Sequence, residues 1–241
     1  VNAGPFAKAA ERARSGVVFD LDGTLVHSAP TLEWAINSAL EMHGCGALSA
    51  EEAQACIGHG LDAFATQALS IVQPRPAESA CRQVREAFLS NIERLPCKDA
   101  SLRLGAMPLL ESLRRTGTRI GICTNKAELI ATKVVVGLCL APFTDALIGG
   151  DTLQESKPHP EPLHRCFERL GTTAEAGLYI GDSSVDVATA RAANGFIVLV
   201  RGGYEQQPVD ALGADLVVDD LLALREVLFG SDRALSDADD D

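Results

Sequence analysis

A chain of 241 residues, 46% of them hydrophobic, is long enough to bury a sizeable core, as one large domain or as a core with a smaller partner. Its apolar residues fall in short runs, so no membrane-spanning helix is expected, and a net charge of −12 excludes the clustered Lys and Arg that nucleic acid or an anionic membrane requires. The seven cysteines are odd in number, scattered and without a C-x-x-C pair, and the five histidines lack zinc-ligand spacing; reduced thiols in a cytoplasmic protein are the expectation.

In chain order, the first fourteen residues carry Lys8, Arg12 and Arg14 but lack the continuous apolar stretch of a secretory signal. Gly16 to Asp20 then reads as a strand, nearly continuous in apolar residues as strands covered on both faces are. From about Pro30 to Leu95 no strand pattern occurs; amphipathic helical stretches run over Pro30 to His43, Ser49 to Ile57, Leu61 to Ile71 and Ala77 to Leu95, separated by glycine- and proline-rich breaks. After this block, strands at Arg119 to Thr124, Asp145 to Gly149, Leu178 to Asp182, Phe196 to Val200 and Asp215 to Val218 alternate with helices at Pro108 to Thr116, Lys126 to Gly137, Glu161 to Leu170 and Val185 to Asn194.

Such alternation predicts an α/β fold with a doubly wound parallel sheet, carrying a small all-helical domain inserted after the first strand. The expected division is residues 1–27 and 105–230 as core, 28–104 as helical cap and 231–241 as a disordered acidic tail. Gly117, Gly137, Gly171 and Gly195 fall where helix C-terminal glycines are expected.

Ligands of an open parallel sheet collect beyond the carboxyl ends of its strands. There the sequence places Asp20, Asp22, Gly23 and Thr24, then Thr124 and Asn125, then Lys157 by a short loop, then Asp182 and Asp186. Carboxylates, a hydroxyl, an amide and an ammonium group on one edge suit a divalent cation and a phosphate. Asp20, ending an apolar run, is costly to bury without a cation and is a candidate metal ligand and nucleophile. Asp22, two positions on, is placed to protonate a leaving oxygen and later to deprotonate water. Thr24, Thr124 and Asn125 offer neutral donors to phosphoryl oxygens, Lys157 offers a fixed positive charge, and Asp182 with Asp20 would complete an oxygen site for Mg²⁺. Singly, each of these residues also fits a turn, a helix cap or a surface position.

The order and strand-end placement of these residues resemble the haloacid dehalogenase-like hydrolase superfamily, whose four motifs match Asp20-Leu21-Asp22-Gly23-Thr24, Thr124-Asn125, Lys157-Pro158 and Gly181-Asp182-Ser183-Ser184-Val185-Asp186. Thr124-Asn125-Lys126, Gly149-Gly150-Asp151-Thr152-Leu153, the stretch from Lys157 to Leu163 and Gly202-Gly203-Tyr204 look like the phosphoglycolate phosphatase subgroup. The resemblance implies that Asp20 is the nucleophile, Asp22 the acid and base and Lys157 the phosphate anchor. It also implies that Asp20, Asp182 and the backbone carbonyl of Asp22 hold Mg²⁺, with Asp186 supporting them from behind, and that the substrate is a small phosphorylated metabolite.

One departure stands in Leu25-Val26-His27-Ser28, where the subgroup usually has Asp in place of His27; the position is expected at the core-to-cap hinge. The second carboxylate of Asp22 argues against a dehalogenase. A sugar-phosphate or pyrophosphate phosphatase, a β-phosphoglucomutase-like mutase and a catalytically idle binding protein share these motifs and stay open. Because the motifs grip only the phosphoryl group, selectivity is expected from the helical insert, where His59, between Gly58 and Gly60, is the candidate substrate contact.

Overall fold

The computed structural model describes residues 4–230. Six parallel strands, β1 (Val17–Phe19), β4 (Ile120–Cys123), β5 (Ala146–Ile148), β6 (Leu178–Gly181), β7 (Phe196–Val200) and β8 (Leu216–Val218), form one sheet in the order β5-β4-β1-β6-β7-β8. All six coincide with the apolar runs expected to be strands. Alternation along β1 divides the core: Val17 and Phe19 join one hydrophobic cluster and Val18 the other. Helices α1 (Pro5–Ala13), α6 (Ala106–Arg115), α7 (Glu128–Gly137) and α10 (Leu221–Phe229) supply the first cluster, while α8 (Glu161–Arg169) and α9 (Ser184–Ala192) supply the second.

The helical insert comprises α2 (Ala29–Met42), α3 (Ala50–Ala55), α4 (Leu61–Val72) and α5 (Glu78–Arg94). It has a separate apolar cluster built around Ile36, Leu40, Phe64, Leu69, Phe88 and Ile92, in which Phe64 and Phe88 stack with centroids 5.1 Å apart. Ile130 of α7 also belongs to this cluster, so the insert rests on the core through apolar contact. Its two connections to the core pair as a short antiparallel ribbon, β2 (Val26–His27) with β3 (Ser101–Leu102).

Several details differ from expectation. Helices α1 and α10 and the β2–β3 ribbon add to the elements expected from sequence. Gly117 and Gly171 adopt the left-handed conformation expected after a helix. Gly137 is the last residue of α7, beside Cys97, but it is Cys139 that takes the positive φ two residues later. After α9, Asn194 rather than Gly195 takes it, as short polar side chains tolerate. The expected acidic tail, 231–241, lies outside the described residues. Among the described residues no helix is long and apolar enough to cross a membrane.

Candidate active site

Strand order reverses beside β1: the chain runs from β1 to β4 and β5 on one side, then crosses to β6, β7 and β8 on the other. A crevice therefore opens at the carboxyl ends of the central strands. Asp20 follows β1 and Asp182 follows β6, and the Asp20 N–H donates to the Ile180 carbonyl at 2.8 Å, extending the ladder to the nucleophile candidate itself. Asp20, Asp182 and Asp186 offer carboxylate oxygens that all lie within 4.8 Å of one another, and all three side chains are buried.

Lys157 reaches into this cluster. Its Nζ donates to Asp20 Oδ1 and Asp186 Oδ1, both at 2.8 Å, and to the Tyr179 hydroxyl at 3.1 Å. Asp186 is the most fully satisfied of the three acids. Its Oδ1 also accepts from Tyr179, and its Oδ2 accepts from the Ser183 hydroxyl and from the N–H groups of Asp182 and Ser183. Burial pushes the Asp186 carboxyl up, but Lys157, then Ser183 and Tyr179, outweigh it and hold the pKa below the usual value. Asp186 is also the third helical residue of α9, in a capping box with Ser183, which explains why strand end, turn and helix start fix it so firmly.

Asp20 and Asp182 show the opposite balance. Burial raises Asp20 to about 7; Lys157 opposes the rise and Asp186 adds to it. Asp182 lies well above the usual carboxylate range because of burial and then the charges of Asp186 and Asp20, despite hydrogen bonds from the Tyr204 N–H and Thr24 hydroxyl, each at 2.8 Å. Two carboxyls that cannot comfortably ionise together, presented as hard oxygen donors, fit a small divalent cation such as Mg²⁺. The surrounding backbone is shaped to them: a Cβ on Gly23 or Gly203 would collide with Asp182, and one on Gly181 with Asp186.

These pKa directions carry a stability prediction. With folded-state values above the unfolded ones, the metal-free native state binds more protons between about pH 4 and 7, so stability falls as pH rises through that window. The metal-free protein should melt roughly 5–10 °C lower at pH 7.5 than at pH 5.5, and Mg²⁺ should raise Tm much more at pH 7.5, where it no longer competes with protons. An equal Mg²⁺-induced rise at both pH values would show that the ion does not bind these carboxyls.

The remaining site residues are placed unevenly. Asp22 lines the same cavity, of about 200 Å³, as Asp20, Thr124, Lys157 and Asp182. Thr124 Oγ1 accepts the Lys126 N–H at 3.2 Å, leaving its own proton to donate into the cavity. Thr24, expected to face a phosphoryl oxygen, is instead fully buried and spends its hydroxyl on Asp182 Oδ1. It orients a carboxylate because the tight turn at Gly23, with φ +90°, brings the chain back beneath Asp182. Asn125, also expected to donate to phosphate, gives its amide protons to the carbonyls of Gly58 and Lys157, both at 3.1 Å, and so ties the insert to the core. His59 is exposed and lies on the cavity's rim beside Gly58 and Gly60.

Sequence patterns gave no role to three residues that the fold brings in. Lys126 pairs with Asp22, Nζ lying 3.0 and 2.8 Å from its two oxygens. Tyr179 completes the Lys157–Asp186 network. Tyr204 holds Asp182 through its N–H, while its hydroxyl accepts the N–H groups of Ser28 and Ala29 at 2.7 and 2.9 Å and lies 3.2 Å from His27 Nδ1. His27 is thus at the β2–β3 connection, away from the three clustered carboxylates, and its pKa is lowered by burial and by Arg103. Lys126 and Tyr204 stand in the short patterns Thr124-Asn125-Lys126 and Gly202-Gly203-Tyr204, the one signal that singled them out.

This constellation agrees with comparison to known proteins. Residues 17–200 match the haloacid dehalogenase-like hydrolase family. The chain belongs to that family. It is 40% identical over 216 residues to the phosphoglycolate phosphatase of Rhodospirillum rubrum, covering 88% of this chain and 90% of that one. A plasmid-borne phosphoglycolate phosphatase of Cupriavidus necator is 36% identical, with 89% and 93% covered. Among solved structures, a predicted phosphoglycolate phosphatase from Haemophilus somnus superposes with a TM-score of 0.84 at 26% identity, covering 88% of this chain and 97% of that one. A haloacid dehalogenase-like hydrolase with such relatives is a phosphatase, a phosphoric monoester hydrolase.

Proposed function

We propose that this phosphatase hydrolyses 2-phosphoglycolate to glycolate and phosphate through an aspartyl-phosphate on Asp20, with Mg²⁺ as cofactor. The observation that carries the chemistry is the pair Asp20 and Asp22 on one cavity wall, each with its own lysine at 2.8 Å. The names of the relatives support the substrate.

In the first step a carboxylate oxygen of Asp20 attacks phosphorus, the ester P–O bond breaks, and Asp22 gives a proton to the departing glycolate oxygen. In the second, Asp22 takes a proton from water, the water oxygen attacks phosphorus, and the bond from phosphorus to Asp20 breaks, releasing phosphate. Lys157 holds Asp20 in place and offers positive charge to the transferring group, and the Thr124 hydroxyl donates to a phosphoryl oxygen. The carboxylates of Asp20 and Asp182, with the Asp22 carbonyl, would hold Mg²⁺, which when bound would neutralise charge on the phosphoryl oxygens. Asp186 holds Lys157 without touching the substrate. The insert, residues 28–104, acts as a cap over the core of residues 1–27 and 105–230, excluding water and placing His59 at the rim. Seven free cysteines suit a reducing compartment, and we assign the protein to the cytoplasm.

The test is a panel of esters compared by kcat/KM: 2-phosphoglycolate, p-nitrophenyl phosphate, hexose phosphates and pyrophosphate. Hydrolysis of 2-phosphoglycolate should lead the others by roughly tenfold or more, the discrimination that one buried charge contact supplies. A hexose phosphate or pyrophosphate in the leading place would overturn the substrate assignment and leave the chemistry standing.

A further inference from the structure

We infer that Lys126 binds the second anionic group of the substrate, its carboxylate, and thereby sets selectivity; the inference rests on the 2-phosphoglycolate reading. Among the described residues, the cavity wall contains two lysines, Lys126 and Lys157, and no arginine. Lys157 is spoken for. A lysine ammonium has three donors, and those of Lys157 go to Asp20, Asp186 and Tyr179. Lys126 gives two donors to the oxygens of Asp22, which leaves the third for the cavity that it lines.

Its placement is fixed by the backbone rather than by the ion pair alone. The Lys126 N–H donates to Thr124 Oγ1, and its carbonyl accepts the Gly150 N–H at 2.8 Å. The side chain is 3% exposed, so its charge is held in a desolvated wall where a substrate anion would be felt strongly.

The substrate's own geometry brings its carboxylate to this point. To protonate the ester oxygen, Asp22 must lie about 3 Å from it. In 2-phosphoglycolate the carboxylate carbon is two bonds, roughly 2.5 Å, from that oxygen. Lys126 Nζ is 2.8 Å from Asp22 Oδ2. An ammonium one hydrogen bond from the acid, which is itself one hydrogen bond from the ester oxygen, is within reach of a carboxylate attached one carbon away. An ester with the same skeleton but a methyl group in that place leaves the third donor unmatched, a cost that falls on the uncharged competitor.

The experiment compares 2-phosphoglycolate with ethyl phosphate, in which a methyl replaces the carboxylate, on the wild type and on Lys126→Met, Lys126→Arg and His59→Ala. Lys126→Met should lower kcat/KM for 2-phosphoglycolate about 100-fold more than for ethyl phosphate, and should raise the inhibition constant of glycolate about tenfold or more. Any effect through Asp22 touches both esters and cancels in the ratio. Lys126→Arg keeps the charge with different geometry; it should shift the ratio by several-fold and serves where Lys126→Met does not fold. Parallel losses on the two esters, or a carboxylate-selective loss in His59→Ala and not in the Lys126 variants, overturns the inference. A wild-type enzyme that does not prefer 2-phosphoglycolate to ethyl phosphate instead overturns the substrate reading on which it rests.

Discussion

Asp20→Asn should reduce turnover by roughly 10⁴-fold or more, the scale seen when a covalent nucleophile is removed from an otherwise intact site. The amide cannot attack phosphorus, and it presents an NH₂ group where Lys157 now meets a carboxylate oxygen. The fold should survive. Asp20 is buried and its pKa is pushed up to about 7, so the neutral amide removes an electrostatic burden from the metal-free protein at neutral pH. Single-turnover assays with 2-phosphoglycolate and a melting curve at pH 7.5 test both halves. A pure, folded variant that sustains steady hydrolysis would displace Asp20 as nucleophile.

Removal of divalent cation should have the next largest effect. Asp20, Asp22, Asp182 and Asp186 bring four carboxylates to one cavity region against the two lysines, and the phosphoryl group of the substrate adds further negative charge. Two like charges 4 Å apart repel by about 4 kcal/mol at the effective dielectric of a partly buried site, enough for roughly 10³-fold in rate. Chelation should therefore abolish activity, with Mg²⁺ restoring it. Asp182→Ala should raise the Mg²⁺ concentration needed for half-maximal activity by about 100-fold, because it deletes a direct ligand candidate and leaves Thr24 and the Tyr204 N–H without their acceptor. A Mg²⁺ titration of that variant that overlays the wild type moves the ion away from Asp182.

The six-stranded sheet was legible because each strand is a short apolar run bounded by helix, and a parallel strand covered on both faces leaves that signature. The clustered carboxylates were legible for a related reason: topology sends every strand's carboxyl end to one edge, so position in the sequence implies position in space. What escaped depends on partners far apart in the chain. Val26–His27 and Ser101–Leu102 are too short to show a pattern and become strands by pairing with one another. Lys126 meets Asp22 across 104 positions, and the Tyr204 hydroxyl caps the start of α2 from 175 positions away. The turn at Gly23 directs the Thr24 hydroxyl to Asp182 rather than to a phosphoryl oxygen, a choice between two acceptors that composition does not encode. Gly137 does end α7, but the left-handed residue that follows the helix is Cys139.

The sheet order also governs how the chain is assembled. β1 lies between β4 and β6, both later in the chain, so its apolar residues Val17, Val18 and Phe19 acquire their neighbours only after residues 120–123 and 178–181 have been synthesised. At ribosomal speeds of about 10 residues per second, that delay is on the order of ten seconds. The helical insert, contiguous and rich in local contacts, can collapse during the wait and shield part of the emerging chain, whereas the long-range parallel pairing is intrinsically slow. Asp20 thus leaves the ribosome well before Lys157, Asp182 and Tyr204, and gains its surroundings only when they have followed. A chaperone that protects β1 on the nascent chain would raise the yield of active enzyme more than one acting after release.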